Sequence, residues 1–154
     1  MKSKRVFAIL LCAILLFGLV ACKEDYRTKL ISVMSKQETA TVQDIFSFEF
    51  DRAYIFNWDD CYMDGETFVQ RYNLDIAITQ VEDGQADYIQ RIVFVDKSGS
   101  FVYEFQCIMN EVSFIESGGL IIYPDTVIRR TAYEEGILDI RFESPDRYDT
   151  EAAY

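Results

Sequence analysis

The sequence predicts an α+β domain: a mainly antiparallel β-sheet built from successive hairpins, with one or two short helices. Three observations carry this. Apolar residues recur at period two in several short runs, the signature of half-buried strands. Those runs are separated by turn-forming clusters of Gly, Pro, Asp and Ser. Twelve Phe, ten Tyr and one Trp are more large rings than a disordered chain carries, so the body folds around them.

The elements follow in chain order. Arg27 to Lys36 carries Leu30, Ile31, Val33 and Met34 at spacings that suit a short, weakly amphipathic helix. Ile45 to Asp51 alternates, which puts Phe46, Phe48 and Phe50 on one face of a strand; Ala53 to Phe56 continues extended after a bend near Asp51 and Arg52. Asp64 is an N-cap, with Glu66 in the first turn, for a helix bearing Phe68, Val69 and Tyr72. Leu74 to Val81 reads as a strand, 82–85 as a turn and Tyr88 to Val95 as the returning strand. Asp96 to Ser100 closes a second hairpin, followed by Phe101, Tyr103, Phe105, Cys107 and Met109 at period two. Val112–Ile115, Leu120–Tyr123 and Val127–Tyr133 are short β segments punctuated by Ser117-Gly-Gly119 and Pro124-Asp125. After a turn at 134–136, Ile137 to Glu143 alternates with Leu138, Ile140 and Phe142 inward. Serial hairpins imply one solvated sheet face, the helices covering the other face or an end.

The amino terminus has a different character. Lys2, Lys4 and Arg5 precede an uncharged apolar run of 15 residues, Val6 to Val20. That is short of the ~20 residues needed to span a bilayer core and matches the apolar region of an export signal. The run ends in Leu19-Val20-Ala21-Cys22, which resembles the lipobox of bacterial lipoproteins. The resemblance is confined to about the first 22 residues. It implies that the Cys22 thiol receives a diacylglycerol and that a dedicated peptidase, recognising Leu19, Val20 and Ala21, cuts before Cys22. Cysteine supplies the nucleophilic sulfur a stable thioether requires, and small Ala21 leaves the scissile bond open. Two acyl chains at ~0.8 kcal/mol per buried methylene would make the tether durable. Lys23 stands where an aspartate often retains lipoproteins in the inner membrane. The implied address is the outer face of the cell membrane, or the outer membrane in a cell with two. An uncleaved amino-terminal helix with a chance cysteine is the alternative.

On this reading the chain divides into a signal peptide (1–21), a lipidated terminus with tether and weak helix (22–44), the α+β domain (45–143) and a frayed polar tail (144–154). Residues 22–154 then hold 12 basic and 26 acidic side chains, a net of −14. Such a surface repels nucleic acid and other polyanions and favours a basic envelope protein or peptide; solubility alone also accounts for it.

The chemistry of the chain is narrowed by what it lacks. With no histidine, Ser-His-Asp and Cys-His arrangements and His-containing metal sites are excluded. No Gly-rich phosphate cradle occurs, which argues against nucleotide binding, and no cofactor is expected. Cys61 and Cys107 either form one disulfide, outside the cytoplasm, or stay buried as thiols; spacing decides neither. One loop stands out. Trp58, Asp59, Asp60, Tyr62, Asp64 and Glu66 crowd together as a candidate surface for a cationic partner. The same acids could serve a carboxylate-dependent glycan enzyme, whereas helix capping and solvation explain them without any ligand. The calcium-loop order is broken where Cys61 falls at an acid position. Arg129 and Arg130 are consecutive in a strand and point to opposite faces. The expected role is a non-catalytic binding or accessory module of the envelope, with an inhibitor or immunity-type role as the alternative.

Overall fold

The computed structural model describes residues 24–56, 59–84, 88–115 and 118–148. The expected signal peptide, the lipobox Leu19-Val20-Ala21-Cys22 and Trp58 lie outside the described residues, as do 149–154 of the tail. The first described element is helix α1, Tyr26–Met34, where Asp25 caps the start by accepting from the backbone N–H groups of Arg27 and Thr28. Strand β1 (Thr39–Thr41) leads into a single helical turn, α2 (Val42–Ile45). There the Thr41 hydroxyl accepts from the Asp44 N–H and the Asp44 carboxylate from the Thr41 N–H, a reciprocal capping box.

That box overrides the strand expected from Ile45 to Asp51. Phe46 to Asp51 is irregular, bending at Phe48 and Asp51, and pairs in no ladder. The side-chain amide of Gln43 donates instead to the carbonyls of Phe46 (3.0 Å) and Phe48 (3.3 Å). The alternation itself survives: Phe46 and Phe50 are buried and Phe48 is half-buried, while Ser47 and Glu49 are exposed.

The remaining strands are β2 (Arg52–Ile55), β3 (Ile89–Val95), β4 (Phe101–Ile108), β5 (Val112–Phe114), β6 (Leu120–Ile122), β7 (Val127–Glu134), β8 (Ile137–Glu143) and β9 (Asp146–Arg147). A 3₁₀ turn (Asp59–Tyr62) and helix α3 (Gly65–Tyr72) lie between β2 and β3. The strands form two sheets, ordered β1-β7-β8-β5 and β4-β3-β2-β6-β9. Every pairing is antiparallel except the parallel β5–β8 contact. The fold is thus α+β and largely antiparallel. Tight turns join β3 to β4 and β7 to β8, whereas other neighbours, such as β2 and β6, are distant in sequence.

Both tight turns follow from their residues. The Asp96 carboxylate accepts from the N–H groups of Ser98 (2.8 Å) and Ser100 (3.0 Å), and Gly99 takes φ +78°. In the β7–β8 turn Glu135 and Gly136 both have positive φ, the geometry a two-residue hairpin needs.

Four further expectations are corrected. Residues 24–44 are not a tether outside the domain: β1 pairs with β7, and Leu30, Met34, Ala40 and Val42 lie in the core. Leu74–Val81 is not a strand: β3 already has β4 on one edge and β2 on the other, so no edge remains to receive it. Only Ala77 meets Ser100 in an isolated bridge. Phe101 does not share a face with Tyr103 and Phe105, because a register shift at Phe94/Val95 turns it across the sheet. Ser144 to Tyr148 is not frayed. β9 pairs with β6, and the Tyr148 hydroxyl donates to the Ile55 carbonyl at 2.7 Å.

The five-stranded sheet is covered on both faces. Ile55, Ile92, Phe94, Phe105 and Cys107 face the four-stranded sheet through Val112, Ile128, Leu138, Ile140 and Phe142, with Leu30 and Met34 of α1 in the same core. Tyr54, Val93 and Val95 face the other way, under Cys61, Phe68, Ile78 and Val81. Arg130 ties α1 to the fold by donating to the carbonyls of Met34 (2.9 Å) and Ser35 (3.0 Å) at the helix end, where a cation is favoured. Arg129 instead pairs with Glu143.

Candidate functional site

The loop singled out by sequence lies over the second face of the five-stranded sheet, and the structure divides its residues. Asp59, Tyr62 and Glu66 are exposed. Asp60 is fully buried; the Tyr72 hydroxyl donates to it at 2.8 Å and an Arg71 guanidinium nitrogen lies 3.6 Å away. Asp64 caps α3, accepting from the Thr67 N–H at 2.7 Å, and that bond holds its carboxyl below the usual range. Asp60 therefore cannot touch a partner on the surface, and Asp64 is committed to its helix. Of the loop acids only Asp59 and Glu66 remain to meet a ligand directly. Among the described residues no group of three or more Cys, Asp or Glu side chains is arranged to hold a metal ion.

The group that organises this side is one that sequence reading passed over. Arg91 of β3 is fully buried. Its guanidinium donates to the carbonyls of Cys61 (2.8 Å), Met63 (3.0 Å) and Glu82 (2.7 Å), pairs with the Glu104 carboxylate at 2.6 Å, and sits 4.9 Å from the centre of the Phe56 ring. The segments it binds are irregular, so their carbonyls have no ladder to satisfy them. A planar five-donor cation reaches several at once. The signal was a lone Arg directly before the apolar run Ile92-Val93-Phe94-Val95, within the expected strand Tyr88 to Val95: a charge in a central strand needs buried partners. Gly84 permits the closeness, since a Cβ there would lie 2.0 Å from the Cys61 carbonyl oxygen.

Beside this network an open concavity of about 460 Å³ is rimmed by Gln80, Glu82, Asp83, Glu104 and Gln106. Its acids suit a cationic group, although Glu104 is already neutralised by Arg91. Cys61 and Cys107 are free, buried and in different cores, Cys61 on one face of the sheet and Cys107 on the other. Of the two alternatives left open by sequence, the structure has the thiols. Burial pushes Cys61 up to about 11 and Cys107 up to about 12, so neither is a nucleophile at neutral pH.

Among the described residues no helix is long and apolar enough to cross a membrane. Compared with protein-family models, curated proteins and solved structures, the chain matches none.

Proposed function

We propose that residues 22–154 are an exported, lipid-anchored lipoprotein that acts as a non-catalytic binding or accessory module of the cell envelope. One observation carries the reading: a basic start, a 15-residue apolar run and Leu19-Val20-Ala21-Cys22 fall in the register that lipidation and cleavage require. The non-catalytic part is supported by the loop acids, of which Asp60 and Asp64 are bound up in side-chain and capping bonds. Cells expressing the full chain with labelled fatty acid test the anchor. Label should enter the protein and vanish in Cys22→Ser; label retained in that variant, or mature protein still carrying residue 1, would defeat it.

A second reading has its own observation. The net of −14 on residues 22–154, with Glu82 and Asp83 exposed at the concavity, favours neutralisation of a basic envelope enzyme. Capture of a cationic envelope protein at low salt and its release at high salt is the expected result. Retention that ignores salt would count against this reading.

A further inference from the structure

Resting on the lipid-anchor reading, we propose that one pole of the domain lies directly against the lipid headgroups: the start of α1, the edge of β4 beside it and the turn 109–111. Only Lys23 separates Cys22 from Glu24, the first described residue. Two Cα steps reach at most ~7 Å. A domain of this length has a radius of gyration of ~14 Å, so the tether is about half that radius. The domain therefore cannot roll its far side onto the bilayer, and the place of Glu24 on its surface decides which side meets lipid.

Glu24 is fixed to the body. Its carboxylate accepts from the Lys29 ammonium (3.0 Å) and the Ser47 hydroxyl (2.5 Å). Residues 24–27 share a concavity of about 260 Å³ with Tyr103, Phe105 and Gln106 of β4. Arg27 lies 3.1 Å from Glu111, just past the other end of β4. Because Gln106 and Glu111 both flank the anchor, the stretch between them does too. Of that stretch the turn 109–111 is what lies beside the anchor; Ile108 alternates with Cys107 onto the Glu104 and Gln106 side of the sheet, the face that carries Glu82 and Asp83.

Charge shapes the tilt. Beside the anchor, Glu24 is paired with Lys29 and Arg27 with Glu111, and exposed Asp25 is held by the Arg27 and Thr28 N–H groups and the Thr28 hydroxyl at the start of α1. On the opposite face of β4, Glu82 and Asp83 are exposed and are repelled by anionic lipid within a Debye length. The far edge of the sheet is β9, four strand spacings or ~19 Å from β4. The β6–β9 edge thus faces away from the membrane and is open to partners.

The test uses the full chain, lipidated in cells, purified and reconstituted in phosphatidylcholine vesicles containing headgroup-spin-labelled lipid. A dye is placed on Asn110→Cys or Asp146→Cys; Cys61 and Cys107, being buried, should take none in the parent protein. Intact mass is read first, and absence of the diacylglycerol would overturn the anchor reading itself. With lipid present, quenching at 110 should exceed that at 146 at least about threefold over the ~19 Å between edges. Equal quenching, or more at 146, would overturn the apposition while leaving the anchor standing. Inserting twenty Gly/Ser residues between Lys23 and Glu24, a linker of ~25 Å r.m.s. length, should erase the contrast. A contrast that survives the linker would overturn the tether as its cause.

Discussion

The two faces of the β4-β3-β2-β6-β9 sheet are closed by different means. Toward the four-stranded sheet the cover is mostly strands and α1, and the interior is hydrocarbon and rings; the one irregular stretch there, 46–51, has its Phe46 and Phe48 carbonyls taken by exposed Gln43 while Phe46, Phe48 and Phe50 lie 4.7, 5.0 and 4.9 Å from Phe94 between ring centres. Toward α3 much of the cover is a 3₁₀ turn and the irregular segment 74–84, and the interior contains Arg91 and Asp60. The contrast teaches why charge is buried on one face only. Strands satisfy their own backbone groups, so their side chains need only pack; irregular chain brings carbonyls inward that something else must bond.

Removing the guanidinium should separate the two faces most sharply. Arg91→Leu leaves three carbonyls and Glu104 without it, and a loss of about 3–5 kcal/mol is expected from urea unfolding. Arg91→Lys should recover little, because one ammonium cannot reproduce the fork. If Arg91→Leu were neutral, the charge would not be what closes that face. Next in size is Tyr72→Phe, which deletes the hydroxyl that donates to buried Asp60. A cost of about 1–3 kcal/mol should appear in the same measurement.

Alkaline pH probes both faces, since each holds one thiol. The folded values, about 11 for Cys61 and about 12 for Cys107, are raised above the ordinary 9.0. Above pH 9 the unfolded chain releases these protons while the folded one retains them, so stability should fall from pH 9 upward and level only above the folded values. Urea midpoints at pH 8 and 10.5 check this. Cys61→Ala and Cys107→Ala should each flatten the slope, and by similar amounts, because both folded values lie above 10.5; a slope unchanged by one of them would mean that its face is not dry. The smallest effect is expected for Leu138→Met in the regular core, under about 1.5 kcal/mol, because volume is conserved and no polar partner is lost. A larger cost there would blur the distinction between the faces.

How much of this was legible in sequence differs between the same two regions. Leu138, Ile140 and Phe142 were readable as inward because alternation in a strand and burial on one face are the same fact. Asp64 as the cap of α3 and a helix within Arg27 to Lys36 were readable because capping and helical spacing act within three or four residues, although the Asp25 cap and the start at Tyr26 were not read. Phe46 to Phe50 was half readable: the rings do alternate inward, yet Gln43 and not a neighbouring strand takes two of the carbonyls. The candidate loop was readable as a crowd of acids but not as a division of labour, since nothing local distinguishes Asp59, exposed, from Asp60, buried under Tyr72.

By itself the sequence determined the predominance of strands, the two tight turns, the start of α3 and the expectation of a lipid on Cys22, all of which depend on residues within a few positions of one another. Only the tertiary structure decided that β3 has no edge left for residues 74–81, that 146–147 returns to pair with β6, and that Arg91 bonds carbonyls 28 and 30 residues away. Local rules act through adjacent backbone and side chains, whereas pairing and charge burial depend on which distant segments arrive first at a limited number of strand edges and donors.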